Sequence, residues 1–212
     1  CTPGEGVVFD GVNDYVDLED VPLGGGPMTI AFDARWDATN YYSRLCDWAN
    51  TYGDENIIIG NVANGAPIGF KIYIGSSSEW SRYTYGGSIA LGSWTHVVAT
   101  VNGTSMKVYQ DGTLVASRDD AQEPTSMTRA NHWLGRSPWG SDGYFQGAIK
   151  SMQIWSRALD AAEVASLYAL GGACLATPSA APTPAPSPAP TVSAVPTPMP
   201  TVTFAPTPYD IA

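Results

Sequence analysis

Between Trp94 and Ala116 the chain reads WTHVVATVNGTSMKVYQDGTLVA, three strand-length pieces separated at Asn102-Gly103 and Asp111-Gly112. Asn-Gly and Asp-Gly accept positive φ at both central positions of a two-residue turn, as the twist of an antiparallel hairpin demands. Within the pieces the side chains alternate. His96, Val98 and Thr100 fall on one face and Val97, Ala99 and Val101 on the other, while Met106 and Val108 oppose Lys107 and Tyr109. A period of two kept through three consecutive segments predicts an antiparallel meander and excludes a helix.

The flanking chain continues in the same manner. Gly6 to Leu18 reads as strand, turn, strand with its break at Asp10-Gly11, and Met28 to Trp36 places Met28, Ile30, Phe32, Ala34 and Trp36 on one face. Strands are predicted at Ser43–Trp48, Asn56–Val62, Gly69–Ile74, His132–Ser137 and Tyr144–Ser156. In the last of these, Ala148, Met152 and Ile154 oppose Ile149 and Trp155. Ser76 to Gly87 has no clear period and reads as a loop with a short strand in it. One helix is predicted over 161–170: Asp160 and Glu163 have the spacing of a capping box, and Gly171-Gly172 stop it. Many short strands and one late helix predict an all-β fold, a two-sheet antiparallel sandwich.

Composition divides the chain in two. Eleven of the 17 prolines fall between Pro178 and Pro208, a stretch without Lys, Arg or acids. Residues 1–174 hold the aromatic and β-branched residues of a core, and residues 175–212 form a Pro/Ala/Ser/Thr-rich tail. Such a tail favours extended polyproline II and cannot enter a central strand. The net charge is −10, and the ten basic residues are scattered from Arg35 to Arg157. Without a basic patch, nucleic acid is excluded as a partner class. No run approaches the roughly eighteen apolar residues of a membrane-spanning helix. The chain begins at Cys1 without an initiating Met or signal-peptide pattern, which predicts a processed or excised piece.

Three phrases in order, VVFDGVNDYVDL, GSWTHVVATVNGTSMKVYQDGTLV and YFQGAIKSMQIWSRALDAAEV, resemble the laminin-G-like branch of the concanavalin A-like lectin/glucanase superfamily. That branch is also similar to the pentraxins. The resemblance covers nearly all of residues 5–170 and implies a jelly-roll whose first and last strands pair. It would bring Cys1 towards Cys174, the preferred disulfide. Three reduced thiols, or a lipid-modified Cys1, remain alternatives. Cys46 and the aromatic stretch around Trp80 are not part of the family pattern.

Catalysis has little to stand on. Glucanases of the superfamily carry Glu, Asp and Glu on alternate strand positions, whereas here Asp17 and Glu19 share a face without a third acid in phase. His96 reads as a satisfied core imidazole, and His132 has no evident partner. The chain is therefore expected not to be an enzyme. The resemblance makes Ca²⁺ the one candidate cofactor: Asp10, Asn13 and Asp14 offer oxygens within five residues, with Asp142 near in space. The same residues equally suit plain turns.

Aromatic side chains are the stronger sign of recognition, because sugar C–H faces stack on Trp and Tyr rings. Trp36, Trp94 and Trp155 are assigned to the core. Tyr41, Tyr42, Trp48, Trp80, Tyr83, Tyr85, Trp139 and Tyr144 lie in or beside loops. Of these, Tyr41, Tyr42, Trp48, Trp80, Tyr83 and Trp139 are the candidate ligand contacts. Asn102-Gly103-Thr104 is an N-glycosylation acceptor on a hairpin turn. The tail resembles O-glycosylated, hydroxyproline-rich wall and matrix proteins, which makes Thr183, Ser187 and Thr191 acceptors. The sequence points first to an extracellular, non-catalytic structural or adhesive glycoprotein whose tail docks on other copies to build a filament or matrix. The alternative is a lectin-type module, binding glycans, on a proline-rich stalk.

Overall fold

The computed structural model describes residues 6–75 and 80–171, and of Trp80 the backbone alone. Cys1, Cys174, the acceptors Thr183, Ser187 and Thr191 and the rest of the tail lie outside the described residues, as does the Trp80 side chain.

In chain order the strands begin with Val7–Asp10 (β1), Val16–Asp17 (β2), Met28–Ala38 (β3), Arg44–Ala49 (β4), Ile57–Asn61 (β5) and Ile68–Ile74 (β6). Trp80–Gly86 (β7), Trp94–Asn102 (β8), Ser105–Gln110 (β9), Thr113–Arg118 (β10), Asn131–Leu134 (β11) and Gln146–Trp155 (β12) follow, then the helix Ala161–Ala169 (α1). They form two six-stranded antiparallel sheets, β1-β12-β3-β8-β9-β10 and β2-β11-β4-β5-β6-β7. The first and last strands pair, Val7 opposite Ile149 through Asp10 opposite Gln146. The expected sandwich is therefore present.

Between the sheets lies one core. Met28, Ile30, Phe32, Ala34 and Trp36 enter it together from β3, as the alternation predicts, and meet Ile57, Ile59, Phe70 and Ile72 from the second sheet. Each of the Ile, Phe and Met side chains contributes about 1.5–3 kcal/mol by leaving water. Strand β8 is buried on both faces, because Leu159 and Val164 pack on Val98, Ala31 and Tyr109 at the back of the first sheet. Helix α1 is held there by the predicted capping box. Asp160 accepts from the Glu163 N–H, Glu163 accepts from the Asp160 N–H, and Gly171 follows at φ 68°.

Local departures have physical causes. Asp111 and Gly112 both take positive φ, 49° and 77°. The other turn lies one residue later than read: Asn102 pairs with Ser105, and the turn is Gly103-Thr104. In β12 a register shift between Ile149 and Ser151 reverses the phase, so Ile149 shares the core with Met152 and Ile154 instead of opposing them. The two strands read around Asp10-Gly11 do not form a hairpin, since β1 and β2 belong to different sheets. The part of the Ser76–Gly87 stretch read as loop that is described is strand: Trp80–Gly86 (β7) pairs with β6 along seven residues. Arg82 and Thr84 occupy its alternate positions where aliphatics would have marked the period.

Candidate binding groove

On the outer face of the second sheet one cross-strand row runs Arg44, Gly60, Gly69, Tyr85, and the row two residues along runs Asp47, Ile58, Lys71, Tyr83. Side chains alternate along each strand, so both rows face away from the core. Gly60 and Gly69 leave the middle of the first row without side chains. The result is a groove of about 590 Å³, with a floor at Gly60, Gly69 and Ile58. That volume falls within the roughly 300–1,000 Å³ typical of ligand sites.

Aromatic rings make its walls. On one side Tyr83 and Tyr85 leave β7 stacked, with centroids 5.7 Å apart and planes at 12°. On the other, Tyr41 and Tyr42 meet edge to face at 4.7 Å in the turn before β4, where Tyr42 takes φ 47°. Trp139 comes from the loop between β11 and β12 and lies 5.7 Å from Tyr73. That loop is tied to the opposite wall by the Gly143 N–H, which donates to the Tyr41 carbonyl at 2.6 Å.

The charged groups differ in how they are held. Arg44 bonds Asp142 at 2.7 Å and lies 5.1 Å over the Tyr42 ring; its side chain is 12% exposed and that of Asp142 6%. Ser137 donates to Asp142 at 2.9 Å. The same hydroxyl reaches Asp47 at 3.1 Å, and Asn56 donates to Asp47 at 2.6 Å. Asp47 is fully buried behind this wall, and burial pushes its carboxyl up to about 7. The Lys71 ammonium lies 4.3 Å over Tyr73 and 5.6 Å over Tyr83, and none of the ion pairs among the described residues includes it.

Comparison with known proteins places this architecture. A laminin-G-type family model, described as the concanavalin A-like lectin/glucanases superfamily, matches residues 10–165. The chain belongs to that superfamily. Among solved structures, this superfamily member is similar to domain 4 of an extracellular GH43 arabinanase from Geobacillus stearothermophilus in complex with arabinotriose (20% identity, 79% of this chain and 78% of that one, TM-score 0.61). It is also similar to the CBM40 of a Ruminococcus gnavus IT-sialidase bound to α2,6 sialyllactose (17%, 78% and 97%, 0.61). Mouse laminin α1 domains LG4-5 match at 18% identity over 74% of this chain and 44% of theirs, with a TM-score of 0.55. At these identities the likeness is one of fold. No curated protein matches the chain.

Of the six residues proposed as ligand contacts, this superfamily member brings four together: Tyr41, Tyr42, Tyr83 and Trp139 all line the groove. Trp48 does not belong with them. It is fully buried in the core, because its position in β4 points between the sheets. Tyr73, Lys71 and Arg44 also line it without having been singled out from the sequence, and Asp142, named there with the calcium candidates, lines it as well. Alternation in β6, with Ile68, Phe70 and Ile72 inward, would have marked Lys71 and Tyr73 as outward partners.

Other readings are also corrected. Trp94 is 42% exposed at a strand end, with the Arg35 guanidinium 5.6 Å over it. His96 is buried, but on the outer face of the first sheet against Tyr168, and its Nδ1 has no partner. It borders a separate hollow of about 240 Å³ with Asp33, Asp111 and Lys150. His132 does have a neighbour, its Nδ1 lying 3.4 Å from Asp20.

The oxygens of the calcium candidate are engaged within the protein. Asp10 accepts from the N–H groups of Val12, Asn13 and Asp14, and Asp14 accepts from the Asp10 N–H. That pattern is a turn closed on itself. Asp142 is held by Arg44. Among the described residues no group of three His, Cys, Asp or Glu side chains has metal-binding geometry.

Proposed function

We propose that the protein is a non-catalytic carbohydrate-binding module working outside the cell, with the glycan lying in the groove on the second sheet. The observation that carries this reading is a floor opened by the paired Gly60 and Gly69 between facing aromatic walls, a shape that lets sugar C–H faces stack while ring hydroxyls meet polar groups. The arabinotriose and sialyllactose bound to two proteins of similar fold support it. Two carboxyl groups facing the sugar would be needed for glycoside hydrolysis. Here Asp142 is held by Arg44 and Ser137, and Asp47 lies buried behind it, which supports binding without turnover.

Glycan-array screening followed by calorimetry tests the proposal. Trp139→Ala and Tyr83→Ala should each weaken the best glycan by about three- to tenfold, the worth of one stacking contact. Binding indifferent to both, or no glycan bound at all, would refute it.

Tail-mediated assembly into a filament or matrix is a second reading. Aromatic grooves also accept polyproline II segments, and residues 178–208 of another copy would reach on the order of 100 Å when extended. In this reading an exposed Asn102 and tail residues Thr183, Ser187 and Thr191 carry the glycans. A synthetic 178–208 peptide that displaces glycan, with self-association lost on deleting the tail, would favour it over the stalk.

A further inference from the structure

The groove has a charge character at odds with the rest of the molecule. The chain carries −10, yet among the described residues lining the groove Asp142 is the one carboxylate, against Arg44 and Lys71. Asp142 is matched by Arg44 at 2.7 Å. Lys71 is left with rings instead of a carboxylate, 4.3 Å over Tyr73 and 5.6 Å over Tyr83. Those contacts fix where the ammonium sits without neutralising it, since a cation–π contact leaves a full positive charge and unused N–H donors. Asp47 is the other acid near the row, but Ile58 stands between it and Lys71. Two strand spacings, roughly 10 Å, separate them, and the nearer cation to Asp47 is Arg44, whose Nε lies 3.9 Å from it. Among the described residues the groove thus holds one cation without a carboxylate partner at its aromatic wall.

We propose that this groove selects glycans bearing an acidic sugar, with Lys71 making the charge contact while the tyrosine and tryptophan rings hold the sugar's apolar face. The inference rests on the glycan-binding reading of the same groove. It also bears on the competing occupant: residues 178–208 contain no acid, so the proline-rich segment offers Lys71 no counter-charge. The ligand chemistry is one negative charge on a sugar ring, either a carboxylate or a sulfate ester. A charge-assisted hydrogen bond is about twice as strong as a neutral one, so the selectivity should be near tenfold.

The test uses the full chain and three probes: trigalacturonate, its fully methyl-esterified form, and a sulfated galactan oligosaccharide, followed by calorimetry at low and high salt. The expected result is that at least one acidic probe binds about tenfold tighter than the neutral ester at low salt, and that salt narrows the gap. Which acid binds better separates carboxylate from sulfate. Lys71→Gln should weaken the acidic probe far more than the ester and so erase the preference, whereas Lys71→Arg should keep it; Lys71 is outward-facing, and circular dichroism checks each fold. Equal binding of acid and ester, or a Lys71→Gln variant that weakens both alike, would overturn the inference while leaving the glycan reading intact. Failure of every glycan, neutral or acidic, would overturn both.

Discussion

Gly60 and Gly69 face each other across β5 and β6, and this pairing is what makes a groove on an otherwise ordinary sheet face. The two glycines tolerate change differently. A Cβ on Gly69 would meet the end of the Val62 side chain at 3.0 Å, which can yield, while a Cβ on Gly60 would sit 2.3 Å from the Ser43 carbonyl oxygen, which cannot. Gly69→Leu should therefore fill the floor and abolish glycan binding with a near-normal thermal midpoint. Gly60→Ala should cost about 1–3 kcal/mol in chemical denaturation through overpacking. A Gly69→Leu variant that still binds would show that the ligand does not reach the floor.

Trp48, an aromatic beside a loop in the sequence, lies in the core. Trp48→Ala should destabilise the domain by about 3–5 kcal/mol, the cost of deleting a buried large aromatic side chain. Urea unfolding measures this directly. Any binding that remains at low temperature should have an unchanged affinity, in contrast to Trp139→Ala.

Asp47 should make stability depend on pH. Burial raises its carboxyl in the folded protein to about 7 from an ordinary value of 3.8. Between those values the folded state holds a proton that the unfolded chain releases. Its contribution is therefore complete below pH 4 and falls as pH rises through 7. Asp47→Asn preserves an acceptor for Asn56 and should flatten that decline. Thermal melts of both proteins from pH 4.5 to 8 would show it; parallel curves would place the ionised form in the native state.

Legibility followed the kind of signal involved. Strand β3 was readable residue by residue, since its five inward side chains keep strict phase and all enter the core. So was α1, whose cap is a local bond between Asp160 and Glu163. Strand β12 misled because one bulge reverses the phase, and β7 was hidden because an edge strand needs no apolar alternation. In the groove, Tyr41, Tyr42, Tyr83 and Trp139 were recognisable as aromatics near loops. Nothing in the sequence says that three separated segments converge there.

Hydrophobic period, turn dipeptides and the capping box settled an antiparallel sandwich with a closing helix, because each acts between residues close along the chain. The tertiary structure decided that Gly60 and Gly69 lie side by side, that Arg44 finds Asp142 and that Lys71 sits over the Tyr73 and Tyr83 rings. Cross-strand register and loop placement create those relationships between residues far apart in sequence, and no local signal carries them.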